Sequence, residues 1–103
     1  MNFKWYKLVD KVPVAINEDE VPVMDFTDRV VGNDYFDDGK IRVSTVFLGL
    51  DHNYESTGDP VLFETMIFGG KNDDYQTRCC TYEQAEEMHR VAVALVKEEL
   101  DNG

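Results

Sequence analysis

The pattern of apolar and polar positions gives its strongest strand signal from Ile41 to Leu50, where Val43, Thr45, Phe47 and Gly49 fall on one side and Ser44, Val46, Leu48 and Leu50 on the other. Both sides are largely apolar, so the pattern predicts a central strand, covered on one side by a helix and on the other by the amino-terminal segment or a second subunit. Val61 to Phe68 and Tyr75 to Cys80 read as further strands, separated by the polar loop Asp51 to Pro60 and the turn Gly69 to Asp73. The three strands together predict an antiparallel meander. Upstream, Phe3 to Val9 is rich in aromatic and branched residues and reads as a strand that Asp10-Lys11 turns toward Val12 to Ile16. Pro13 lacks the amide a central ladder needs, which confines that second strand to an edge or an irregular path. Asn17 to Glu20 reads as an acidic loop. Val21 to Val31 fits a short helix, with Pro22 in its first turn and Gly32 as its stop, and fits an irregular loop equally well. Asn33 to Gly39 carries turn chemistry.

Thr81 opens a capping box closed by Gln84, and Glu83, Glu86 and Glu87 follow where carboxylates favour the positive end of a helix dipole. Beyond it, Ala85, Met88, His89, Ala92, Val93, Leu95, Val96 and Leu100 share one arc of a helical wheel, which predicts a carboxy-terminal helix packed on the sheet. Asp101 to Gly103 is expected to fray. The fold class that follows is α+β, a small antiparallel sheet of three to five strands against one amphipathic helix, in a single domain spanning residues 1–103.

Composition adds direction. The 103 residues hold 21 acidic and 10 basic side chains, a formal charge of −11. That charge disfavours direct contact with nucleic acid or an anionic membrane and attracts a basic protein surface, including one that ordinarily holds nucleic acid. No apolar run is long enough to span a bilayer, and Met1 to Leu8 lacks a secretory layout, so a cytoplasmic protein is expected. Cys79 and Cys80, the only cysteines, are adjacent and would point to opposite faces of a strand, which predicts two reduced thiols and no mutual disulfide.

Four side chains stand out as candidates for binding a ligand or partner. Asp51 and His52 end the strongest strand and enter a loop, where folds often present binding groups; adjacent residues on an extended chain point apart, which argues against a dyad between them. Glu64 interrupts the apolar run Leu62 to Met66, so it is either an anchor paired with Arg42 or Arg78 or a site residue. Asp59 completes an oxygen-rich set with these three that is too generic to specify a metal. His89 lies inside the apolar arc of the helix and reads as a partly buried imidazole satisfied by one hydrogen bond. Phosphate-loop, nucleophile-elbow, calcium-loop and zinc spacings are missing, so no catalytic residue, metal or cofactor is assigned, and binding is favoured over catalysis.

The segment VSTVFLGLDHNYESTGDPVLFETMIFGG, Val43 to Gly70, together with the acidic helix opening at Thr81-Tyr82-Glu83-Gln84-Ala85 and continuing to His89, resembles a family of small bacteriophage and prophage proteins of uncharacterised function. The resemblance covers the carboxy-terminal two thirds and includes Leu50-Asp51-His52 and Phe63-Glu64-Thr65-Met66. The resemblance implies a phage context, in which the charge, the small size and the absence of catalytic motifs predict a non-enzymatic accessory protein that binds a host protein and inhibits a defence system or other nucleic-acid-handling complex. A small-ligand-binding protein or enzyme with a pocket at Asp51, His52 and Glu64 is the alternative, and a homodimer would satisfy the two-faced strands.

Overall fold

The computed structural model describes residues 4–17, 19, 29–53 and 58–102. Its elements are β1 (Trp5–Val9), β2 (Val12–Ile16), β3 (Val30–Phe36), β4 (Ile41–Phe47), β5 (Phe63–Phe68), β6 (Gln76–Cys79) and α1 (Tyr82–Asn102). These form a two-stranded sheet, β1-β2, and a four-stranded antiparallel meander, β3-β4-β5-β6, packed against α1. The architecture is α+β.

Asp10 and Lys11 both adopt positive φ, 49° and 68°, in the two-residue connection that matches the twist of a tight hairpin. Val9 therefore faces Val12, and Pro13 pairs with Leu8 on a strand whose other side is an edge. The hairpin meets the large sheet at its end, through the Tyr6 amide to Gly49 carbonyl bond (2.7 Å) and the Asp51 amide to Lys4 carbonyl bond (3.0 Å). Tyr6 and Leu8 then pack on Phe47, Leu62, Phe63 and Ala85. The described part of the amino-terminal segment thus joins the helix-side core and does not blanket the opposite face of β4. That opposite face carries Arg42, which stacks over Phe68 at 4.6 Å, and Glu64 paired with Arg78. The buried Ser44 and the half-buried Val46 and Met66 share it.

The amino-terminal boundary of the large sheet differs from the sequence expectation. Val30 to Phe36 is a strand, with a bulge between Val30 and Gly32, where Asn33 to Gly39 had the look of a turn; the turn proper is Asp37 to Lys40. Asn33, Asp34 and Tyr35 are exposed at the edge, so polarity there reflects solvent and not a break in the strand. Gly32 does not stop a helix but lies within β3, while a helix over Val21 to Asp28 falls outside the described residues. The acidic loop Asn17 to Glu20 is likewise described only at Asn17 and Asp19.

At the other end of the chain the capping box forms as read. The Gln84 amide donates to Thr81 Oγ1 (3.1 Å), and Gln84 Oε1 accepts the Thr81 and Cys80 amides (3.2 and 3.1 Å). Helix α1 continues through Asn102, two residues into the segment expected to fray. Its buried residues Ala92 and Val96 meet Ile41, Val43 and Ile67 in one apolar cluster, and Ala85 meets Phe47, Leu62 and Phe63 in a second. What lies between the two clusters is polar.

Candidate functional site

The loop after β4 is organised by Asp51. Its Oδ1 accepts the Asn53 amide (2.8 Å) and, across the loop, the Val61 amide (2.9 Å), so one carboxylate oxygen ties the loop's entry to its exit. The His52 Nδ1–H donates to the Leu50 carbonyl (2.7 Å), which turns the imidazole back on its own strand. Asn53 Nδ2 donates to the Asp59 carbonyl (2.9 Å). Asp51 and Asp59 also lie close enough to Cys80 to raise its thiol pKa together with burial, the larger cause. Asp51 adds to the burial that raises the Tyr6 phenol. These residues form one neighbourhood at the β1, β4 and β6 ends.

Glu64 belongs elsewhere. Facing away from α1, its Oε2 accepts Gln76 Nε2 (2.7 Å) and Arg78 Nε (2.8 Å), and only 12% of its side chain is exposed. This is the cross-strand pair that the register Glu64↔Arg78 places side by side, and Arg42 takes no part in it. Glu64 thus bonds to β6, whereas the Asp51 carboxylate bonds to the amides of Asn53 and Val61 in its own loop.

His89 ties the helix to two strands. Its Nε2 lies 2.7 Å from Asp34 Oδ2 and its Nδ1 2.7 Å from Thr45 Oγ1, which in turn lies 2.5 Å from Thr65 Oγ1. A carboxylate only accepts, so Nε2 carries a proton toward Asp34; in the neutral imidazole Nδ1 then accepts from Thr45, and Thr45 accepts from Thr65. The strand register lines up Gly32, Thr45, Thr65 and Thr77 in a single row across all four strands beneath the helix. Gly32 leaves the gap the imidazole fills, since a Cβ there would lie 2.7 Å from its Nε2. The row ends at Thr77, whose buried hydroxyl has no hydrogen-bond partner among the described residues. Sequence reasoning placed one hydrogen bond on His89; the structure places two, and their partners Asp34 and Thr45 are 55 and 44 residues away. A signal was present in the alternation of Thr45 and Thr65 with apolar neighbours on strands otherwise buried. Thr45 is itself fully buried, so the arrangement joins helix to sheet and offers no open hydroxyl to a substrate.

Both cysteines are free thiols. Burial, with a smaller contribution from Cys80, pushes the Cys79 thiol up to about 11. Because only the thiolate is nucleophilic, alkylation of Cys79 by iodoacetamide at pH 8 should run roughly a hundredfold slower than for an unperturbed cysteine, as mass spectrometry of timed samples would show. The folded state holds this proton more tightly than the unfolded chain. Its contribution to stability is accordingly complete below pH 9 and lost as pH rises through about 11, a slope that Cys79→Ala should remove from alkaline melting curves.

A group of carboxylates lies at the opposite end. The meander brings the β3-β4 turn, with Asp37 and Asp38, beside the β5-β6 turn, with Asp73 and Asp74; a Cβ on Gly69 would run into the Lys40 carbonyl. The carboxy-terminal turns of α1 arrive at the same place, where Glu99 Oε1 accepts the Lys71 amide (3.1 Å), and add Glu98 and Asp101. Lys40, Lys71 and Lys97 offset part of this charge. The last helical turn contains no basic residue, so the negative end of the helix dipole reinforces the acidic pole.

Among the described residues there is no group of three or more side chains placed to hold a metal ion, and no helix is long and apolar enough to cross a membrane. The structure defines an α+β domain with an acidic pole at one end and a polar row through its core. Comparison with protein-family models, with curated proteins and with solved structures found no match to this chain.

Proposed function

We propose that this chain is a non-enzymatic phage accessory protein that acts in the host cytoplasm by binding a host protein and blocking a defence or other nucleic-acid-handling complex. The observation that supports this reading is the acidic pole: the two turns and the helix end gather carboxylates in one region, as a surface competing for a basic, nucleic-acid-binding face requires. The candidate reactive groups lend no comparable support to catalysis, because Asp51, Glu64 and His89 each hold structural hydrogen bonds already.

The test is capture of partners from bacterial lysate on the tagged chain, with and without nuclease, at about 50 and 300 mM salt. A stoichiometric host protein should be retained after nuclease treatment, be released at the higher salt, and be lost when Asp37, Asp38, Asp73 and Asp74 are replaced by Asn. Retention that ignores both salt and these replacements would sink the electrostatic reading.

A further inference from the structure

We infer that the free edge of β6 is a docking site for an extended, basic segment of a partner protein, which adds as a further strand to the four-stranded sheet. The inference rests on the reading that the chain binds a protein, and supplies that reading with a surface.

Three features converge on this edge. The first is a backbone edge on which no strand pairs among the described residues. The Ile67 amide bonds the Tyr75 carbonyl (3.2 Å), and the alternation of an antiparallel ladder then directs the main-chain groups of Thr77 to β5 and those of Gln76 and Arg78 outward. The opposite edge strand, β3, carries a bulge at its start, between Val30 and Gly32, and β6 pairs with β5 in unbroken register from Gln76 to Cys79. The second feature is an open groove of about 660 Å³ running along the same edge on the helix side, walled by Cys79, Cys80, Gln84 and Met88 and rimmed by Glu83 and Glu87. A strand laid on β6 would direct alternate side chains into it.

The third feature is charge, and it selects the occupant. The edge begins beside Asp73 and Asp74 and ends beside Glu83 and Glu87. Arg78, which also lines the groove, is paired with Glu64, and Glu87 is paired with Arg90, so that Glu83, Asp73 and Asp74 are the carboxylates along this edge with no basic partner among the described residues. A second copy of this chain added antiparallel about a two-fold axis would set Asp73 and Asp74 of one protomer against Glu83 and Glu87 of the other, and like charges so placed oppose pairing. A segment carrying lysine or arginine on either side of one apolar residue satisfies both the groove and its rim.

The probe is a fluorescein-labelled peptide, Lys-Thr-Val-Thr-Lys-Thr, followed by anisotropy and by amide hydrogen exchange on the full chain. Binding should slow exchange at Gln76 and Arg78, and should fall at least tenfold for the Glu-Thr-Val-Thr-Glu-Thr peptide and for a peptide N-methylated at alternate positions. The paired changes Glu83→Lys and Glu87→Lys, in protein whose amide spectrum shows the fold retained, should invert the preference between the two peptides. The proposal is overturned if the peptide fails to bind, if N-methylation has no effect, or if the charge reversal leaves the preference unchanged. Should a host protein be captured equally by the charge-reversed variant, the partner reading stands and the groove is removed from it. Peptide binding with no captured host protein leaves the groove and removes the partner reading.

Discussion

Thr45→Val should destabilise the domain by about 2–4 kcal/mol, read as a lower urea midpoint at unchanged slope, although the substitution keeps the size of the side chain. The hydroxyl it removes is the bridge between His89 Nδ1 and Thr65 Oγ1, and Thr45 and Thr65 are fully buried. Two polar groups are then stranded where water does not reach them, and each stranded group costs roughly 1–3 kcal/mol. A domain of this size has roughly 5–15 kcal/mol in all, so the loss is a large fraction. Thr65→Val strands less, because Thr45 keeps its bond to His89. The double variant should be less destabilised than the sum of the two, since the Thr65 hydroxyl that Thr45→Val orphans is now absent; a coupling of about 0.5–3 kcal/mol is expected for side chains in contact. Strict additivity, or a Thr45→Val protein as stable as the parent, would show that the row does not hold the helix to the sheet.

The contrast between what the chain made legible and what it concealed follows the distance over which each feature is encoded. The capping box at Thr81 and Gln84 lies within four residues, and the two-residue turn at Asp10-Lys11 is as local; both were readable, down to the edge position of Pro13. The pattern over Ile41 to Leu50 marked a strand with neighbours on both sides, although the strand itself ends at Phe47. Strand β3 was not readable, because Gly32, Asn33 and Asp34 carry the composition of a turn. Their presence in a strand is explained by residues far along the chain: Gly32 makes room for His89, and Asp34 accepts its proton. Glu64 fell between these cases. Its two candidate partners were nameable from neighbouring strands, and only the register Glu64↔Arg78 chose between them. The acidic pole was equally hidden in composition, since a net charge carries no positions until the turns and the helix end are brought together.

Gly32→Ala should also destabilise the domain, by about 1–3 kcal/mol, against the usual direction for this change. Replacing glycine by alanine ordinarily stabilises by roughly 0.4–1 kcal/mol where the backbone permits, by limiting the freedom of the unfolded chain. Here the backbone permits it, since Gly32 is not among the positions with positive φ, and the obstacle is space. The new methyl would lie 2.7 Å from His89 Nε2 and 2.8 Å from Cδ2 and Cε1, closer than real side chains approach. The imidazole cannot retreat along its own plane without stretching a hydrogen bond, because Asp34 and Thr45 hold it at opposite nitrogens. It must either tilt out of the row or push β3 away from α1. The two responses are separable: tilting moves the His89 ring resonances and leaves β3-β4 amide exchange intact, whereas displacement of the strand accelerates exchange from Gly32 to Asp34. Removing the imidazole supplies the control. In a His89→Ala background the same Gly32→Ala change meets no ring, and its effect should fall to near zero or turn stabilising. If instead the cost persists without the imidazole, the glycine is required for the backbone of the bulge and not for the seat of His89.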